Sequence, residues 1–301
     1  MRGCIGDRQR RGCSSESGCA SWWWVVDSWL VVGAAVNVIY VNNPADERLS
    51  DFRAVSDPDL ARTRGLFIAE GRLVVRRLLI ESRFAPRSVM VTPSAMKAIE
   101  DALPSRPGLP VYIVPKDVME GVTGFDIHRG CLATGERPAP ADWRDIIVGT
   151  RRLVVLERVG DADNVGAIFR SAAALGGDVV LTGPACADPL YRKAIRTSMG
   201  AALILPFADA DPWPAALTAL TAEGWAVAAL TPSPDAITLH EFSAATRSPR
   251  VAFVLGHEGD GLTDAALDAC EFRVRIPIRA SVDSLNVATA AAIALYELEI
   301  V

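Results

Sequence analysis

The chain has 301 residues, half of them hydrophobic and 22% charged, a length that suggests two domains and a composition that can bury a sizeable core. The net charge of −5 excludes a globally basic nucleic-acid binder. Lys plus Arg against Asp plus Glu number 4 and 3 over residues 1–36, 14 and 13 over 37–140, and 13 and 20 over 141–301, so any nucleic-acid surface must be a local patch.

The first 36 residues have no periodicity until "SWWWVVDSWLVVGAAVNVIYV" (21–41), an apolar run about as long as a membrane span and preceded by Arg8, Arg10 and Arg11. Asp27 interrupts it, three tryptophans are adjacent, and no clean cleavage site follows. Residues 1–36 are therefore expected to be a non-native or disordered extension rather than an anchor. Six scattered cysteines form no C-x-x-C pair, and His128, His240 and His257 lie far apart. That pattern disfavours a zinc site and a disulfide framework, and a reducing cytoplasm fits it best.

Residues 37–135 are expected to form a small α/β unit. "VIYV" reads as a strand and "FIAEGRLVVRRLLIES" as an amphipathic helix; "SVMVT" and "PVYIVP" read as strands flanking a helical "SAMKAIEDAL". Arg62, Arg64, Arg72, Arg76, Arg83 and Arg87 make a local basic cluster, either a solvated helix face or a phosphate contact. The proline-bearing "GERPAPADWRD" (135–145) marks a linker, taken as 136–150.

From 151 to 301 strands and helices alternate. "RLVVLER", "DVVLT", "LILPF", "WAVAALT", "RVAFVLG" and "FRVRIPI" are the strands. "NVGAIFRSAAALG", "DPLYRKAIRTSMG", "WPAALTALTAEG" and the alanine-rich C-terminal segment are the helices. This order predicts a parallel sheet covered by helices, with ligands beyond the carboxyl ends of the strands.

Three loops occupy that position. "ERVGDADNVGAIFR" carries Asn164, Gly166 and Arg170; "LGHEGDGL" carries Gly256, Glu258, Gly259 and Gly261; "IPIRASVDSLN" carries Ser281, Asp283, Ser284 and Asn286. Singly, each has an ordinary explanation. Asn164 suits a helix cap, the glycines suit a tight turn, and Ser281 or Asp283 suits the N-cap of the last helix. The glycine order G-x-x-G-x-G, late in the chain, departs from the dinucleotide fingerprint G-x-G-x-x-G, which belongs to the first strand–helix turn.

Together, N-x-G-x-x-x-R, G-x-E-G-x-G and I-P-x-x-x-x-x-x-S-L-N, in that order, resemble the three motifs of the SpoU family, the SPOUT-class RNA ribose 2′-O-methyltransferases. "ACADPLYRKAIRTSMGA" is similar to the segment between the first two motifs. Residues 37–135 resemble, more loosely, the ribosomal-protein-like RNA-binding domain of many members. Ala162 replaces a common proline, and Ala280–Ser281 stand where glycine is frequent.

The resemblance implies an α/β fold with a trefoil-knotted parallel-sheet methyltransferase domain behind a small α/β RNA-binding domain. It further implies S-adenosylmethionine as cofactor, no metal, an RNA substrate and a homodimer. By position, Leu230, Gly256, Ile276 and Leu285 are expected to line the cofactor pocket. Arg170 is expected to hold phosphate and steady developing alkoxide charge, because a guanidinium is a poor base. Asn164 would fix the loop and the arginine, Glu258 would orient Arg170 or Asn164, and Ser284 and Asn286 would position the ribose or the arginine. An rRNA substrate is favoured over tRNA. The rival readings are a non-catalytic RNA-binding protein with a degenerate methyltransferase domain and a dinucleotide-dependent enzyme.

Overall fold

The computed structural model describes residues 36–53, 56–124, 130–246, 248–279 and 283–300, without the side chains of residues 299 and 300. The expectations for residues 1–35, for His128, and for Ala280 and Ser281 fall outside the described residues.

Five strands form the first sheet: β1 Asn37–Tyr40, β2 Leu66–Glu70, β3 Pro86–Val91, β4 Pro110–Ile113 and β5 Cys131–Glu136, in the order β1-β4-β3-β5-β2. β5 runs antiparallel to both of its neighbours, and the other pairings are parallel. Alternate residues point to opposite faces. Phe67, Ala69, Val89 and Val91 pack under helix Arg72–Ile80, while Leu66, Ile68, Met90 and Leu132 pack with Leu60 and Met119 on the other side.

Two expectations for this half are corrected, and one strand is added. The helix read through 67–82 divides at Gly71 into β2 and helix Arg72–Ile80, because residues 66–69 are buried on both faces and such a strand shows no alternation. The helix read over 94–103 is a short helix, Pro93–Met96, followed by a 3₁₀ turn, Glu100–Ser105. β5 was not foreseen: "CLATGE" is poor in β-branched and aromatic residues, yet it is buried between two strands.

Seven strands form the second sheet: β6 Arg152–Leu156, β7 Val179–Thr182, β8 Phe207–Asp209, β9 Ala226–Leu230, β10 Ile237–Thr238, β11 Val251–Leu255 and β12 Phe272–Arg275. Their order is β10-β12-β9-β11-β6-β7-β8, and every pairing is parallel, as the alternation of strands and helices predicted. One face packs Val154, Val180 and Phe253 against helices Ala162–Ala174 and Val287–Ile300. The other packs Leu153, Leu181 and Val254 against Trp143 and helix Ala215–Ala222. The strand read over 203–207 begins at Phe207 instead, since Ala201–Leu203 turns as 3₁₀.

The expected linker is anchored. Gly135 and Glu136 finish β5, Arg137 pairs with Asp188, and Trp143 is buried with its Nε1 donating to the Asp211 carbonyl at 3.1 Å. The two sheets also share a packed boundary. Leu190, Ile195 and Leu203 join the core of the first sheet, and Arg192 donates to Asp57 from its backbone (2.9 Å) and its Nε (2.7 Å).

The basic cluster is largely consumed by this framework. Arg62 pairs with Asp59, Arg64 and Arg87 with Asp51, and Arg76 with Asp101. Arg83 stands 4.7 Å from the centroids of both Phe84 and Phe207, and its burial lowers its pKa. Of the six arginines, Arg72 and Arg83 form no side-chain hydrogen bond or ion pair with a described residue, and Arg83 is held against the two rings instead.

Candidate active site

Helix Ala162–Ala174 opens the site. Its cap is Asp161, whose carboxylate accepts from the Asp163 N–H at 3.0 Å; that bond first, and Lys193 second, hold the Asp161 carboxyl below its ordinary pKa. With the cap supplied by Asp161, the Asn164 side chain is left for other work. Gly166 faces helix Arg192–Thr197 so closely that a Cβ would lie 2.5 Å from the Ala194 carbonyl oxygen. The glycine of the first motif therefore serves helix packing.

The loop after β11 closes on itself. His257 N donates to the Gly261 carbonyl (3.1 Å) and Gly261 N to the His257 carbonyl (2.9 Å). A Cβ on Gly256 would lie 2.4 Å from the Gly261 carbonyl carbon, so only glycine fits the neck of this loop. His257 Nδ1 accepts from the Gly259 and Asp260 N–H groups, which leaves the ring proton on Nε2.

The three loops meet through three side chains. Asn164 Nδ2 donates to Glu258 Oε1, and Asn286 Nδ2 donates to Asn164 Oδ1 at 2.9 Å and to Glu258 Oε1 at 3.4 Å. Asn286 Oδ1 meanwhile accepts from Ala288 N (2.9 Å) and Thr289 N (3.2 Å), so Asn286 caps the last helix. Of the two expected caps, Ser281 or Asp283, Ser281 lies outside the described residues and Asp283 does not supply these bonds. Capping fixes the amide of Asn286: its oxygen faces the helix, so its NH₂ must face Asn164 and Glu258.

Beside this network lies a cavity of about 270 Å³. All four expected cofactor residues, Leu230, Gly256, Ile276 and Leu285, line it, as do Glu258 and Ser284. Thr231, Pro232 and His257 line it too and were not foreseen, their only signal being adjacency to strand ends; Asp283, read as a possible cap, also lines it. The walls are mainly aliphatic, with loop backbone supplying polar edges, and among the described residues no group of three or more His, Cys, Asp or Glu side chains is arranged for a metal. Such a lining fits a nucleoside cofactor held by apolar contact and main-chain hydrogen bonds.

Arg170 does not join the group. It is exposed, lines no part of this cavity and forms no hydrogen bond or ion pair with a described residue. Of the two partners expected for Glu258, Arg170 or Asn164, it is Asn164 that bonds to it.

The profile of the SpoU rRNA Methylase family matches residues 151–296. A tRNA/rRNA methyltransferase of Mycobacterium bovis, itself uncharacterised, is 46% identical over 261 residues, spanning 85% of this chain and 90% of that protein. The chain belongs to the SpoU family. A 23S rRNA guanosine 2′-O-methyltransferase of Bacillus subtilis is 27% identical over 233 residues, 75% of this chain and 90% of its own length. The crystal structure of an AdoMet-bound rRNA methyltransferase from Sinorhizobium meliloti shares the fold, with a TM-score of 0.72 at 24% identity over 87% of this chain and 98% of that one. As a SpoU protein, the chain is an S-adenosylmethionine-dependent RNA ribose 2′-O-methyltransferase, and its second sheet is the SPOUT domain, whose trefoil knot the family implies.

Proposed function

We propose that the chain methylates rRNA, that the first sheet and its helices (residues 37–135) bind the RNA, and that residues 151–301 carry out the transfer. The observation that carries this reading is the Asn164–Glu258–Asn286 network at the rim of the aliphatic cavity. Ribosomal RNA is preferred because the Bacillus relative that acts on it aligns across both halves of the chain.

Methyl transfer to a ribose hydroxyl requires alignment of the reacting atoms and an exit for the hydroxyl proton. S-adenosylmethionine, when bound, supplies a methyl on a sulfonium, an already activated leaving group. Leu230, Ile276 and Leu285 hold the cofactor by apolar contact, and Gly256 admits it to the backbone. Glu258, held by two amide donors, keeps Asn164 and Asn286 in register at the cavity mouth. Ser284, on the cavity wall, would meet the ribose in this reading. Arg170, outside its own chain's cavity, is given the incoming RNA phosphate in this reading, where a planar fork would hold two oxygens and steady developing negative charge.

A homodimer is part of this reading. Helix Val287–Ile300 buries Ala291, Ala294 and Leu295 but leaves Ile293 and Tyr296 exposed, an apolar face suited to a second copy. The cytoplasm is the proposed compartment; no helix among the described residues is long and apolar enough to cross a membrane. The deciding experiment is methylation of separated RNA fractions with labelled S-adenosylmethionine, followed by mapping through resistance to alkaline cleavage. Label in 23S or 16S rRNA at an alkali-resistant position is expected. Label confined to tRNA would replace the substrate, and no transfer to any fraction would favour a degenerate RNA-binding protein.

A further inference from the structure

The turn that follows β6 contains a carboxylate with no part in the scheme above. Glu157 is 1% exposed and is the only charged residue among the described ones that is buried. Three donors converge on it. Its Oε1 accepts from Trp213 Nε1 and from Thr263 Oγ1, its Oε2 accepts from Thr263 N, and all three distances are 2.8 Å. None of these donors is charged, so nothing in the immediate pairing compensates the burial of a carboxylate except the hydrogen bonds themselves. A group retained at such a cost serves something besides packing.

What it holds is the cofactor loop. Thr263 ends that loop and caps helix Asp264–Ala269 through Ala266 N (3.2 Å). At the other end, Glu157 N donates to the Leu255 carbonyl at 2.8 Å, the last rung between β6 and β11. Of the residues between, Gly256 to Gly259 and Gly261 line the cavity, and the loop presents Glu258 to Asn164. A second tether, Arg158 to Asp260 at 2.7 Å, joins exposed side chains, and pairs of that kind contribute little. The buried carboxylate is the effective one.

We propose that Glu157 is the positioning residue of the cofactor loop, holding Leu255 and Thr263 at the spacing that shapes the cavity for S-adenosylmethionine. The proposal rests on the cofactor cavity assigned above. Without the carboxylate the loop samples other shapes, and cofactor binding must select the competent one, which weakens apparent affinity by the lost fraction. Once the cofactor is bound the loop is back in place, so turnover at saturation survives.

Glu157→Gln preserves size but turns an NH₂ towards one of the donors. The expected result is a dissociation constant for S-adenosylmethionine raised about tenfold by calorimetry, with the single-turnover rate at saturating cofactor within about threefold of wild type. Thr263→Val, which keeps shape and removes the hydroxyl donor, should weaken binding in the same direction and combine non-additively with Glu157→Gln. Trp213→Phe removes a donor that does not belong to the loop and should leave affinity within twofold. Binding by wild type and its loss in Ile276→Trp verify the cavity independently. If those hold and Glu157→Gln binds like wild type, or all three donor-set variants weaken binding equally, Glu157 is only structural and the proposal fails. If Glu157→Gln does not fold, Thr263→Val and Trp213→Phe decide it by the same contrast.

Discussion

Asn286 is both a helix cap and a site residue, and two substitutions separate the roles. Asn286→Ala removes the cap, which costs about 1 kcal/mol, and the bonds to Asn164 and Glu258, which as exposed hydrogen bonds add less than about 1 kcal/mol more. Asn286→Asp keeps an oxygen for the Ala288 and Thr289 N–H groups and gains about 0.5 kcal/mol from a negative charge at a helix N-terminus. Against that, it sets a carboxylate against Glu258 Oε1, now 3.4 Å from the amide nitrogen. Both residues are exposed, so water-like screening applies and the repulsion is about 1.2 kcal/mol. The aspartate variant also loses the two bonds donated by Nδ2, so in urea titration both variants should lie about 1–2 kcal/mol below wild type. In about 1 M salt, which screens the carboxylate pair, the aspartate variant alone should recover about 0.5–1 kcal/mol. Both should lose about a hundredfold or more in single-turnover methyl transfer, because the Asn164–Glu258 geometry is released in each. An aspartate variant as active as wild type would reduce Asn286 to a cap. An aspartate variant that recovers nothing in salt would show that the carboxylates at positions 286 and 258 do not face each other.

Arg170→Ala and Arg170→Lys should both be nearly inactive while S-adenosylmethionine affinity stays within a few-fold of wild type by calorimetry, since the lysine lacks the planar fork; a lysine variant with most of the wild-type rate would mean that charge alone suffices. Gly166→Ala gains about 1 kcal/mol of helix propensity but drives a Cβ to 2.5 Å from a backbone oxygen, so a net loss of about 2 kcal/mol is expected in urea, and a stabilised variant would contradict the close packing. Ile293→Glu should leave the protein folded but monomeric by light scattering at micromolar concentration, and a monomeric wild type would refute the dimer outright. Burial pushes the thiols of Cys131 and Cys270 up to about 12 from an ordinary 9. Raised acids of this kind leave stability intact below pH about 9, where folded and unfolded states both keep the proton, and erode it as pH climbs towards about 12. The urea midpoint should fall more steeply over that range in wild type than in a Cys131→Ala, Cys270→Ala double variant, and equal slopes would count against the shifts.

Local pattern alone placed much of this protein. The apolar runs that became β6, β7, β9, β11 and β12 are short and bounded by polar turns, and their alternation with helices dictates parallel pairing. The cavity residues Leu230, Gly256, Ile276 and Leu285 were legible only through the resemblance to the SpoU motifs, which assigns them by position; the strand pattern alone pointed no further than the loops beyond the strand ends. Tertiary structure decided what depends on partners remote in the chain. Asn164 and Asn286 are 122 residues apart, and no periodicity says that one will hydrogen-bond to the other. The arginines of the first domain looked free until folding brought Asp51 and Asp101 to them. Glu157 reads in sequence as the polar end of a strand and becomes a buried anchor only when Trp213 and Thr263 close over it. Hydrophobic period is set by each residue's own backbone geometry, whereas hydrogen-bond satisfaction and close approach belong to pairs, and pairs exist only once the sheets and helices have packed.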